Sequence, residues 1–419
     1  MVDTSKPLTD AFAKPGDFSI HEVTDTRAVR GALAAHVLQS ANLGPLAAFK
    51  GTFAGHGFNT IFRPDSTTTP TPMPGPVITT DPADNVLELN VTAETLSFSD
   101  SLGSVPNRGS KSQADIFLNG VPYLQTVNDI TTGKPIGIHL EPGLWLQVPS
   151  TTNPSEPVTV ARLASIPHGT TILAQGVNLV PAVAGKPNIA PIDITPFVGG
   201  QPPQKIVFQS QTATNKTTRR IPQDLSAQII AGTITQAILS DPNTVLRNQI
   251  ANQTITQTIT LMISTKPGAP LPRGPLPAAL PAPAFGGGAS NIASLLGQAN
   301  PPPGGPTSNA NAFQMDAVFW IETVVYDVQV PPMPPGTPPI TLEPVQKSSV
   351  PVVPSFVAAI PSVPGKGFAG GIVKVPTTQI QYSQKVMLDF AGLSWPHVSV
   401  ASLVPAAPVP IPENLLPLI

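Results

Sequence analysis

The chain of 419 residues contains no cysteine. Disulfides, thiolate nucleophiles, zinc–thiolate sites and thiolate-bound iron are therefore excluded together. Charge is scarce as well. Asp, Glu, Lys and Arg make up 11%, and 22 basic against 24 acidic residues leave a formal charge of −2. A nucleic-acid backbone needs clustered lysine and arginine, and no such stripe exists here. No run reaches the roughly 20 apolar residues that cross a bilayer. The opening MVDTSKPLTDAFAKPGDFSI has no basic stretch followed by an apolar one. Neither a secretory signal nor a membrane partner is expected, and a cytoplasmic location is favoured over secretion.

Proline is in excess, at 54 residues, with 33 glycines. Disorder also requires low hydrophobicity and high net charge. At 41% hydrophobic residues the chain can form a sizeable core, with the prolines in connections laid over it.

The texture changes along the chain. Residues 1–45 read as a leader with one short helix around DTRAVRGALAAHVLQSA, and 46–176 as strands and turns. In NVLELNVTAETLSFSD, Leu87, Leu89 and Val91 alternate with Glu88, Asn90 and Thr92, the pattern of a half-buried antiparallel strand. Residues 177–265 form an insert. Its first part, to 223, is punctuated by proline and reads as a surface excursion. Asp224 then caps a helix carrying Leu225, Ile229, Ile230 and Ile234, and Asp241 with Pro242 begins a second one. The insert ends in a strand, TITQTITLMIST.

Residues 266–308 are a Pro/Gly-rich loop, 309–405 hold the closing strands, and 406–419 are a tail. One closing strand sets Phe313, Met315, Ala317, Phe319 and Ile321 against Gln314, Asp316, Trp320 and Glu322. The next sets Ile380, Tyr382, Val386, Leu388 and Phe390 against Gln381, Ser383, Lys385 and Asp389. First and last strands of such a sheet can pair and remove the exposed edges. The expected fold is mainly β, an antiparallel calycin-like barrel with a small helical insert and long Pro-rich loops.

Three segments, in order, resemble one family. FKGTFAGHGFNTIFRP (49–64) is similar to the G-T-W-x-G-x-G first strand of nitrobindin-like heme-binding β-barrels, with Gly51, Thr52, Gly55 and Gly57 in place. Phe53 replaces the tryptophan, and Asn59 stands where another glycine is usual. IHLEPGLWLQV (138–148) resembles the H-x-E-x-G strand through His139, Glu141 and Gly143, and VARLASIPHGTTILAQG follows it. GLSWPHVSVASL (392–403) resembles the last strand, where that family places its heme-ligating histidine. The matches fall within 45–176 and 310–405, so the chain would be an enlarged relative.

The resemblance implies heme b bound through His397, with activity toward peroxynitrite or related reactive nitrogen or oxygen species, as an isomerase or a peroxidase-like enzyme. A catalytic residue and a merely structural histidine are also open readings of His397. Strand alternation places Trp395, His397, Ser399 and Ala401 on one face, so Trp395 would flank the ligand. Gly55 and Gly57 would give it room, and Arg63 would meet its carboxylates. Thr52 and His56 are the candidates for groups above the iron. Lying four apart in a strand, they point inward together or not at all. His139 and Glu141 share a face as either an acid–base pair or a hydrogen-bonded one. The alternative function is a non-catalytic carrier of a lipid, pigment or heme in the same lumen.

Overall fold

The computed structural model describes residues 42–67, 70–73, 84–101, 103–109, 112–153, 155–166, 170–176, 181–199, 203–266, 294–296, 311–345, 352–360 and 365–416. The helix expected around 26–42, His21, His36, His168 and nearly all of the 266–308 loop lie outside these residues.

Ten long strands make the barrel. They are β1 (Gly51–Pro64), β2 (Asn85–Phe98), β3 (Ile116–Asp129), β4 (Ile136–Val148), β5 (Thr159–Ile166), β6 (Thr170–Gly176), β7 (Thr254–Ser264), β8 (Asn311–Val330), β9 (Gly371–Phe390) and β10 (Leu393–Pro405). Each pairs antiparallel with the next in sequence. β1 also pairs with β10, from Phe53 opposite Pro405 to Thr60 opposite Val398, and this closes the ring. The fold is the closed antiparallel barrel expected from the alternating strands.

The lumen is filled at one end. Phe53, Phe98, Trp145, Met315 and Phe319 are buried there in one cluster, and the short turn Gly44–Ala48 plugs it with Leu46. Phe49 stacks on Phe98 with ring centroids 4.5 Å apart, and Trp145 meets Phe319 edge-on at 5.1 Å. A barrel of this size is packed by side chains wherever they are large.

The insert is not a surface excursion. Ile189, Ile192 and Ile194 are buried against outward-facing barrel residues, including Phe58, Leu87, Leu89 and Val400. Its irregular backbone is held by Arg220, buried itself, whose guanidinium donates to the carbonyls of Ser210, Thr212, Asn215 and Gln223 at 2.7–2.9 Å. The two expected helices are three short ones: α1 (Ser226–Ala231), α2 (Gln236–Ser240) and α3 (Thr244–Ile250). α1 stops at Gly232 in the left-handed region (φ +72°) and buries none of its own residues. The flanking Leu225 and Ile234 do that instead. Asp241 serves the turn before α3 by accepting from the backbone N–H of Asn243 at 3.2 Å and of Ile192 at 2.9 Å.

A polar layer lies between the insert and the outer barrel face. Gln253 and Gln379 exchange hydrogen bonds of 2.9 and 3.0 Å, and Gln379 also donates to Glu322 at 2.6 Å. Burial pushes the Glu322 carboxyl up from 4.5 to about 8, outweighing the Gln379 hydrogen bond. The unfolded chain ionises near 4.5 while the folded one stays neutral to about 8. Stability is therefore fully present below the lower value and is lost as pH rises across that window, by up to about 1.4 kcal/mol per unit. Glu322→Gln removes the effect. Its stability relative to wild type should rise by about 2–3 kcal/mol between pH 5 and pH 8 in urea unfolding. Parallel pH curves for the two proteins would contradict this.

Candidate functional site

Opposite the plugged end the lumen is polar. Along β1 the inward positions run from Phe53 through Gly55 and Gly57 to Asn59, and along β10 from Leu403 through Ala401 and Ser399 to His397. His397, Asn59 and Ser399 are half-buried. The Asn59 amide reaches His397 Nε2 at 2.9 Å and donates to Ser399 Oγ at 2.7 Å, while Asn90 donates to the Asn59 carbonyl oxygen at 3.3 Å. An amide N–H next to Nε2 is matched by the imidazole tautomer whose Nε2 lone pair accepts it. At the rim, Arg63 is 45% exposed and pairs with Glu88 at 2.9 Å.

Deeper in the lumen lies a charged floor. Arg162, 2% exposed, donates from Nε to the Tyr123 hydroxyl at 2.8 Å and from Nη1 to Gln384 Oε1 at 2.8 Å, and it forms an ion pair with Glu141. The Tyr123 hydroxyl donates to the same Glu141 carboxylate, and His139 meets its other oxygen at 3.1 Å. Burial alone would raise the Glu141 pKa. Arg162, assisted by His139 and Tyr123, outweighs it and brings the group down to about 2. A carboxylate held so low is a weak base, which favours the hydrogen-bonding reading of the His139–Glu141 pair. Gly143 leaves space for the cross-strand Tyr123 ring, because a Cβ there would lie 2.4 Å from Tyr123 Cζ.

Beside this group, Tyr382 donates to Glu94 at 2.6 Å and Thr92 donates to it at 2.7 Å. Gln125 donates to Tyr382 at 3.1 Å. Burial raises the Glu94 pKa despite these donors. Gln384 and Ser399 are cross-strand partners on β9 and β10, so the floor is continuous with the His397 group.

The expected site residues divide. His397 faces the lumen. Trp395 does not flank it: the indole stacks on Phe390 at 4.4 Å and meets Phe62 and Phe208, where the insert wraps the barrel end. Gly55 and Gly57 give no room to a ligand. A Cβ on them would lie 2.0 Å from the Ser402 carbonyl oxygen and 2.2 Å from that of Val400, so they serve the close approach of β1 to β10. Thr52 and His56 share the outer face. Thr52 is exposed against Ser97 Oγ at 3.0 Å, and His56 lines a cavity of about 270 Å³ under the insert. They are not brought to His397. Arg63 stands at the rim and is paired with Glu88.

In the sequence no site role falls to Glu94, Gln125 or Tyr382, while Asn59 stands out only as a departure from the glycine pattern and Ser399 only as a neighbour on the face of His397. For Asn59 the departure from the glycine pattern was the available signal. Among the described residues no group of three or more His, Asp or Glu could hold a bare metal ion, and no helix is long and apolar enough to cross a membrane. No family model, curated protein or solved structure matches the chain.

Proposed function

We propose that the chain binds heme b at the polar end of the barrel, with His397 Nε2 as the axial protein ligand. The observation that carries the reading is the placement of His397. It lies on the last strand of a closed ten-strand barrel, faces the lumen, and presents Nε2 toward a donor, the Asn59 amide. That nitrogen, in that tautomer, is the one a metal takes. Iron held there would supply a Lewis acid for a peroxo oxygen, in keeping with the peroxynitrite chemistry of the family the sequence resembles.

The chain's own groups have definite parts in this reading. Asn59 gives up its hydrogen bond to Nε2 and keeps the one to Ser399. Arg63 is the rim cation available to a heme carboxylate, in exchange for Glu88. The buried floor from Glu94 to Arg162 fixes the strands beneath and keeps the lumen polar. Thr52 and His56, on the other face of the sheet, take no part. Of the carrier readings, lipid cargo is less well supported, because a lipid needs an apolar lumen and the apolar half of this one is filled by Phe53, Trp145 and Phe319.

Hemin titration followed at the Soret band tests the proposal. The expected result is a saturable, one-to-one shift. A wild-type protein that gives no shift with folded structure intact would overturn it.

A further inference from the structure

Among the described residues the insert covers only part of the barrel. The cluster beneath it draws on outward residues of β1, β2 and β7–β10, such as Phe58, Leu89, Met262, Trp320 and Val400, and on none from β3–β6. The outward side of β3–β6 is nonetheless apolar. Tyr123, Gln125 and Glu141 face the lumen, so the residues alternating with them face away. On that side Leu124 lies opposite Pro142, Leu144 opposite Leu163, and Leu118 opposite Val105 of a short flanking strand, Ser104–Asn107. Val105, Leu124 and Leu140 are 46%, 42% and 44% exposed. Between these strands Leu146, Val148 and Ala161 form a small buried cluster of their own. No Asp, Glu, Lys or Arg takes an outward position from Leu118 to Thr126, Leu140 to Leu146, Thr159 to Ser165 or Thr171 to Gln175.

Single exposed leucines are ordinary, but a contiguous apolar face marks an interaction surface. The chemistry of this one narrows the partner. A nucleic acid or a charged protein would find no ionic counterpart on it. A lipid surface is met by lysine, arginine and interfacial tryptophan or tyrosine, and of these only Lys134, in the β3–β4 turn, borders the face. The complement must be equally apolar and equally uncharged, and the same face of a second copy is both. Two-fold pairing would bring no like charges together. The size is also sufficient. At 4.8 Å between strands and 3.3 Å per residue, the outward side of β3–β6 spans roughly 600 Å². Two such faces come to about 1,200 Å², the low end of what specific complexes bury. Closure of the ring leaves the barrel strands no edges to join, so association must be face to face.

We propose that the chain forms a two-fold dimer in which the outward face of β3–β6 packs on the same face of a second copy. Leu124, Leu140 and Leu163 would interdigitate with their counterparts as the inner residues of stacked sheets do. The modest area fits a dimer that dissociates on dilution. The inference is independent of the heme reading, because the face lies outside the lumen in which His397 stands.

Sedimentation velocity of the hemin-free full-length protein, from about 1 to about 100 µM, tests it. The expected result is a monomer–dimer equilibrium within that range. Leu140→Glu sets a carboxylate at a position already exposed in the monomer and should weaken association by about tenfold or more. Leu124→Glu repeats the test at a second exposed position, should the first variant not fold. Ile230→Glu, at a side chain 88% exposed on α1, is the control and should leave association unchanged. A wild type that stays monomeric throughout would overturn the proposal. So would a dimer that tolerates the glutamate at position 140 or 124, or one that Ile230→Glu weakens as much. Co-flotation of a monomeric wild type with phosphatidylcholine vesicles would assign the face to lipid instead.

Discussion

Arg162→Leu should remove about 3–5 kcal/mol of stability, because it leaves the buried Glu141 carboxylate without its counter-charge. In the native barrel the guanidinium is shared among Glu141, Tyr123 and Gln384, and it lies over the rings of Tyr123, Trp145 and Phe319 at 5.3–5.9 Å. The leucine keeps some of the packing but none of the five donors. Removing both charges, in Arg162→Leu with Glu141→Leu, should cost less than the single arginine change, since no buried ion is then stranded. Urea unfolding of the two variants measures this. A single-variant loss below about 1 kcal/mol would show that the floor is not a coupled network. Acid should act in the same direction as the mutation. Glu141 is held near 2 in the fold, against an ordinary 4.5. Its contribution is present above the ordinary value and declines as pH falls through the folded one.

Gly57→Val is expected to be at least as damaging. Its Cβ would sit 2.2 Å from the Val400 carbonyl oxygen and 2.7 Å from Thr92 Oγ1, and the carbonyl is backbone that cannot rotate aside. The strand would have to withdraw from β10 along the seam that closes the barrel. A loss of about 3 kcal/mol or more, or failure to fold, is the expected outcome. Gly137→Ala is the matched control, since its Cβ would meet only Asn128 Oδ1 at 3.7 Å. It should fall within about 0.5 kcal/mol of wild type. If Gly57→Val were as stable as Gly137→Ala, the closing seam would not be what these glycines serve.

Alternation assigns the faces of the middle of β8 and β9 only: a bulge between Ala312 and Gln314 breaks the period at Phe313, and Leu388 and Phe390 pack in the cluster around Trp395 instead. Met315, Ala317, Phe319 and Ile321 do face the lumen with Ile380 and Tyr382. The same rule misleads in β2. Leu87 and Leu89 look like core residues and are buried, but outside the barrel beneath the insert, while Glu88 and Asn90 face the lumen beside Asn59. A sequence gives the period of a strand without saying which side will be covered, and here both sides are. That ambiguity hid the polar end of the lumen, since polar residues opposite an apolar face read as solvated. It also explains His56, which shares β1 with Asn59 but projects to the opposite side. Trp395 was misplaced for a different reason: at the barrel end Phe208 of the insert captures the indole, a contact remote in sequence. For His397 the strand is legible in the sequence, while its inward face follows only from the pairing of β10 with β1 that closes the barrel.

The central claim is that the inward imidazole of His397, and not the outward one of His56, is an iron ligand. Parallel hemin titrations of His397→Ala and His56→Ala, read at the Soret band against wild type, test it most directly. The account predicts that the first variant loses the one-to-one shift and the second keeps it. Loss in His56→Ala with retention in His397→Ala would contradict it.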